Sequence, residues 1–317
     1  MIYFGPGVHN LPNDTLFVPS GTTVYIDGGA RVYGNIFTEG AHDVNIFGRG
    51  EVHPDGRGAG VWVRRSKNVR IDGIVVSQLP IGQCDSVELT NVKSISYYGW
   101  GDGMDVFSSS NVILDGVFCR NSDDCAAVYA STQGFKGGSN NVLVKNATLW
   151  ADVAHPINIG GHGDPNGMDT VQNVTFRNID ILDQAENQID YQGCLAINPG
   201  DNTLVRNITF ENIRIEDFRN GQLVNFRISF NPKYCVSTGR GIQNVLVKDV
   251  TYNGSGENLS IIAGYDENHK ISGIRFVNLV VNGRKITDDM PGKPKWYKTG
   301  DMAGIFVGEH VENLFFE

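Results

Sequence analysis

Long apolar runs are missing from this sequence. No stretch approaches the ~18–20 consecutive apolar residues of a membrane-spanning helix, which excludes that class. Basic clusters are missing too. Lys and Arg number 26 against 35 Asp and Glu, for a net charge of −9, and no Lys/Arg run occurs. Nucleic acid and anionic membrane are therefore poor partners. The opening MIYFGPGVHNLP has neither a basic n-region nor an apolar h-region, so it reads as a strand and turn rather than a signal peptide. Cysteine is sparse: five residues, with no CxxC and no paired spacing, exclude a disulfide framework and a thiolate metal site and leave buried free thiols. No segment carries a convincing amphipathic helical period.

Glycine, in contrast, is abundant at 39 of 317 residues, which points to many tight turns. The chain also repeats itself. A unit of Asn, apolar, any residue, apolar, followed by a second apolar strand, recurs as KNVRIDGIVV (67–76), SNVILDGVFC (110–119), QNVTFRNIDI (172–181) and RNITFENIRI (206–215). Its leading aliphatic falls at Val44, Val69, Val87, Val112, Val142, Val174, Ile208, Val245, Ile274 and Leu314, at gaps of 18 to 40 residues. Periods of this size mean a solenoid, propeller or array. The units hold short alternating β-branched runs and no four-strand blade, so the sequence predicts an all-β, right-handed parallel β-helix of about ten coils, forming one domain over 1–317. In VTFRNI, Val174 and Phe176 face inward and Thr175 outward. The recurrent Asn is expected at a bend, bonding a stacked Asn one coil away.

One group of carboxylates departs from a scattered, solvated distribution. WGDGMD (100–105) holds Asp102 and Asp105, and NSDDC (121–125) holds Asp123 and Asp124. Asp102 and Asp123 are 21 residues apart, close to one minimal coil, so Asp102, Asp123 and Asp124 are expected on one side of adjacent turns. Gathered like charges raise a pKa, the usual setting for a proton donor beside a base. Neighbouring strand residues point to opposite faces, so a bend or bulge is expected at Asp123–Asp124. An acidic turn or a calcium site are the other readings of this cluster. His155 in AHPINIG is expected above the acids and is preferred to His162 in GGHGD. Arg227 in NFRIS is placed outward, able to meet sugar hydroxyls. Tyr97, Tyr98, Trp100, Tyr129 and Trp150 are candidate platforms for sugar faces, and the 130–141 and 286–302 insertions candidate walls of a cleft.

At these residues the chain resembles β-helical glycoside hydrolases of the polygalacturonase and dextranase clan. The polygalacturonase pattern runs Asn-Thr-Asp-Gly-x-Asp, Gly-Asp-Asp-Cys, a histidine before an apolar strand, then Arg-Ile-Lys. GWGDGMD, NSDDC, AHPINIG and FRIS stand in those places. IYFGPGVH, SGTTVYIDGGARVYGNI, NSDDCAAVY, KNATLWADVAHPINIGG, VVNGRKIT and GIFVGE look closer to family 49, the dextranase and isopullulanase group, although its N-terminal β-sandwich is missing. The resemblance implies an inverting hydrolase with Asp123 as general acid and Asp102 and Asp124 as bases, oxygens ~6.5–9.5 Å apart. It implies a polysaccharide or oligosaccharide partner, substrate contacts from His155, Arg227, Trp100, Tyr98, Asp105 and Tyr129, no metal and no cofactor. A monomer, extracellular or periplasmic, is expected. Three departures bear on substrate. Ser229 replaces the Lys of Arg-Ile-Lys, Gly101 stands where Thr precedes the first Asp, and His155 is polygalacturonase-like rather than dextranase-like. The loss of that Lys favours a neutral α-glucan such as dextran or pullulan. The alternatives are a polygalacturonase-like pectin hydrolase and a non-enzymatic glycan-binding β-helix.

Overall fold

The computed structural model describes residues 1–54, 56–255 and 257–317. Apart from two short 3-10 helices, Ile189–Tyr191 and Thr299–Ala303, its regular elements are strands, and 28 of them join one sheet. Nearly every pairing is parallel, and the path is that of a right-handed parallel β-helix. Among the strands of the described residues the exception is the turn-back of Arg284–Ile286 against Ile271–Val281; isolated antiparallel bridges occur in loops.

Each coil contributes up to three short strands, and these stack into three columns. The first column pairs Val44 with Val69, then Val87, Val112, Val142, Val174, Ile208, Val245, Ile274 and Leu314, the series expected from the repeat. The third column stacks Val63, Ile81, Val106, Val128, Ile159, Ile197, Phe226, Ile262 and Val307. Alternation fills the interior: Val174 and Phe176 are buried while Thr175 is half-buried. Each such Val or Ile contributes about 1.5–3 kcal/mol by leaving water. Phenylalanines at 176, 210, 226, 276 and 316 stack along the axis in the C-terminal half, with centroids 4.8–6.5 Å apart. Four of the five cysteines are buried, and all are free.

The recurrent asparagines turn the corner into the first column's second half. Asn141, Asn173, Asn207 and Asn244 all have φ between 55° and 57°, the left-handed region that Asn tolerates best after Gly. Their amides form ladders: Asn141 donates to Asn111 at 2.7 Å, Asn207 to Asn173 at 3.1 Å and Asn244 to Asn207 at 3.2 Å. A structural role for this motif therefore accounts for its recurrence.

Candidate active site

The acidic residues sit where the chain turns from the second column into the third. Phe118–Asn121 ends the second-column strand, Ser122 and Asp123 form a bend, and Ala126–Tyr129 begins the third-column strand. The bend expected at Asp123–Asp124 is present, and it lets consecutive aspartates serve one site. One coil earlier, the loop through Asp102 leads into Met104–Phe107, which pairs with Ala126–Tyr129. Asn121 fastens the two corners: its fully buried amide donates to Ser94 Oγ and Ser96 Oγ at 3.0 Å and to the Asp102 carbonyl at 3.1 Å. Gly103 lets them approach. A Cβ there would lie 2.2 Å from the Cys125 carbonyl oxygen, and the Gly103 amide donates to Asp124 O at 2.7 Å.

The structure brings Asp102, Asp123 and Asp124 together: one oxygen of each lies within 4.8 Å of the others. This is tighter than the ~6.5–9.5 Å expected of an inverting pair. Their environments differ sharply. Asp124 is buried. Its Oδ1 meets the His155 backbone amide at 3.1 Å and His155 Nδ1 at 2.7 Å; its Oδ2 accepts from Tyr129 at 2.5 Å and Asn158 at 2.8 Å. Burial alone would raise this carboxyl, but the His155 charge and these donors hold it below the usual carboxylate range. His155 is raised in turn: desolvation opposes its protonation, but the charge and hydrogen bond of Asp124, with the charges of Glu186 and Asp123, together outweigh it. Asp123 is pushed up to about 8 by desolvation and by the charges of Asp124 and Asp102. Asp102 is pushed up to about 7 by desolvation and Asp124. Asp105 is 4% exposed, its Oδ1 has no hydrogen-bond partner, and burial with the neighbouring carboxylates raises it well above its ordinary value. The cluster thus holds one stabilised anion beside carboxyls that keep their protons near neutrality. Three carboxylates this close also form a set that suits a hard cation.

The acids floor an open cleft of about 770 Å³. Tyr98, Trp100, Asp105 and Tyr129, the candidate substrate contacts, line it. Tyr98 is pinned by its hydroxyl, which donates to Gly58 O at 2.7 Å and accepts from Gly58 N at 3.0 Å. Two expectations need correction. His155 is fully buried beneath Asp124 and packs edge-on against Tyr191, so it touches a carboxylate rather than a substrate. Arg227 is outward, with Phe226 and Ile228 buried on either side, but it does not line the cleft. Two coils of solenoid rise separate its strand from that of His155, since Ile157 pairs with Leu195 and Leu195 with Val224. Trp150 also lies elsewhere, under the Arg120 guanidinium at 4.2 Å. The 130–141 insertion contributes Thr132 and Gln133 to the cleft, whereas 286–302 contributes nothing.

Several cleft residues escaped the sequence reading. His162, ranked below His155, lines the cleft edge-on to Tyr129 at 5.0 Å, and burial lowers its pKa. Tyr191 and Tyr234 stack at 4.8 Å, and Glu186, Gln188 and Lys233 complete that wall. These last come from irregular segments without periodicity. Asn158 carried a usable signal: a polar residue within the buried strand Ile157–Ile159.

The family profile described as Glycosyl hydrolases family 28 matches residues 61–290. A probable exopolygalacturonase X of Aspergillus fumigatus is 26% identical over 291 residues, covering 85% of this chain and 58% of that protein. The chain spans about half the length of the curated relatives it matches, 44% and 58% in two cases. Among solved structures, the family 28 exopolygalacturonase of Yersinia enterocolitica superposes with a TM-score of 0.68 at 13% identity, over 98% of this chain and 72% of that one. PfbA, a surface adhesin of Streptococcus pneumoniae, shares the fold with a TM-score of 0.62 at 13% identity, over 98% and 75%. The family match falls on the polygalacturonase side of the clan and not on family 49, toward which the sequence motifs leaned.

Proposed function

Because this chain belongs to glycosyl hydrolases family 28, we propose that it hydrolyses glycosidic bonds in an acidic, pectin-type polysaccharide rather than in the neutral α-glucan favoured by Ser229. The observation that carries the reading is the divided protonation of three carboxyls within 4.8 Å. Asp123 is the general acid: pushed up to about 8, it holds its proton at neutral pH and delivers it to the leaving glycosidic oxygen. Asp124 is the anion, and with Asp102 it polarises a water that attacks the anomeric carbon. The proton leaving that water passes to Asp102, which titrates at about 7, and from there to solvent, while the released Asp123 carboxylate takes a proton back from solvent.

Inversion is the outcome we assign. It is the course that the resemblance to this clan implies, and Asp124, with four donors on its two oxygens, steers the water by its charge rather than by bonding carbon. Asp102 and Asp124 stand too close for a water on the line between them and the acid, so the water sits beside the pair. Polymer hydrolysis suits a protein outside the cytoplasm, and among the described residues no helix is long and apolar enough to cross a membrane.

Polygalacturonate, dextran and pullulan are the substrates to compare, with new reducing ends as readout. New ends from polygalacturonate alone are expected, and release only from dextran or pullulan overturns the substrate class. Asp123→Asn is expected to lower kcat by ~100-fold or more while glycan binding persists; unchanged turnover removes Asp123 as the acid. Exhaustive chelation is expected to leave kcat unchanged, and loss restored by calcium would reassign the three carboxylates to a cation.

A further inference from the structure

Lys233 is the one lysine or arginine among the described residues lining the cleft. It reaches the site from an irregular loop, not from the strand that carries Arg227, and nothing in the repeat marks it. The loop is built rather than loose. Tyr234 and Cys235 amides bond Asn231 O at 3.0 and 2.9 Å, Val236 and Ser237 amides bond Asp201 Oδ1 at 2.7 and 3.2 Å, and Tyr234 stacks on Tyr191.

The partners of this ammonium are neutral. Its Nζ donates to Gln188 Oε1 at 3.2 Å and lies 4.7 Å from the centre of the Tyr234 ring. Gln188 is itself fixed, its amide donating to Tyr234 Oη at 3.1 Å and to Glu186 Oε1 at 3.3 Å. No described carboxylate forms an ion pair with Lys233, although most cations of this chain have one one coil away, such as Arg177 with Glu211 at 2.7 Å. Neutral acceptors hold the ammonium, while Glu186 and Asp123 act on it through space without an ion pair. Tyr234 and Tyr191 connect its wall to His155 and Asp124, and Lys233 lines the same cleft as the three acids.

We propose that Lys233 is a specificity-determining residue that receives the carboxylate of a uronic sugar unit beside the catalytic acids. It supplies from a loop the charge that Ser229 no longer supplies from the strand. The proposal rests on the hydrolase reading above and names the group that reads its substrate. A neutral glycan would leave the ammonium unmatched, whereas a carboxylate gains a charge-assisted hydrogen bond.

The test compares an oligogalacturonate with its fully methyl-esterified counterpart, which has the same skeleton without the charge. The ratio of kcat/KM for acid over ester is expected to fall at least tenfold in Lys233→Met, which keeps most of the stem, and to stay within a few fold of wild type in Lys233→Arg. An equal loss on both substrates in Lys233→Met overturns the proposal, as does a wild-type ratio near one. Calorimetric binding of the two oligosaccharides to the wild type, Lys233→Met and Lys233→Arg proteins separates the two readings. Lys233-dependent preference for the acid without hydrolysis defeats the hydrolase reading alone, and hydrolysis without that preference defeats Lys233 alone.

Discussion

At the residue scale, the site depends on keeping one carboxyl ionised and its neighbour protonated. Asp123, pushed up to about 8, loses its proton as pH rises through that value, so kcat/KM is expected to fall on the alkaline side there. The Asp124 charge is one of the causes holding Asp123 up, after desolvation, so Asp124→Asn moves that alkaline limb to lower pH. His155→Gln acts oppositely on Asp124. It removes the cation that counters burial, so Asp124 requires a higher pH to ionise and the acid limb moves up. A pH–rate series on the wild type and these two variants checks both signs; an unmoved acid limb in His155→Gln denies the ion pair its role. The three acids were legible in the sequence because one lap of chain separates Asp102 from Asp123, and lap length translates directly into stacking. The placement of His155 above them was equally legible. Its burial was not, because the ring points under Asp124 at a corner, where inward and outward no longer alternate. Lys233 and Tyr191 lie on segments with no period at all, so no pattern could announce them.

At the element scale, the precision of the site comes from two corners held against each other. Gly103→Ala would place a Cβ 2.2 Å from the Cys125 carbonyl oxygen, and backbone cannot yield as a side-chain tip can. The coil carrying Asp102 must then move away from the coil carrying Asp124. A displacement near 1 Å costs about 100-fold in rate, so kcat is expected to drop about that far while circular dichroism still shows the β-helix. Full activity in Gly103→Ala would show that the corners tolerate slack. Legibility also differed between columns. The first column's pairing was readable in full, since each unit alternates and most open on Asn. The third column's strands, such as Ala126–Tyr129, Ile157–Ile159 and Leu195–Ile197, are short and buried throughout. Such runs have no period to detect, and the cleft is built on their ends. Arg227 lies outward and two coils beyond His155, as its strand pattern indicated, but where the cleft ends along the stack is set by those strand ends and not by the pattern.

At the scale of the whole molecule, a stack of about ten coils must carry a strained charge cluster in its middle turns. Asp102 and Asp123 have folded-state pKa values of about 7 and 8, raised above the ~3.9 of an unfolded Asp. The sign follows from linkage. A carboxyl raised by folding contributes fully to stability below its unfolded pKa, and that contribution is lost as pH rises through the folded value. The solenoid is therefore expected to lose stability between about pH 4 and pH 8 through these two groups, as each must ionise in a place that disfavours the charge. Asp102→Asn removes one ionisation and relieves Asp123 of a neighbour. Its Tm should match the wild type near pH 4 and exceed it increasingly toward pH 8, by an amount on the order of a few degrees. The same variant loses a carboxylate that activates water, so stability and turnover move in opposite directions. Thermal melts of both proteins from pH 4 to 9 decide the matter. A Tm difference that stays flat across that range would mean that the cluster is not held against its own charge, and the division of labour between Asp123 and Asp124 would lose its electrostatic basis.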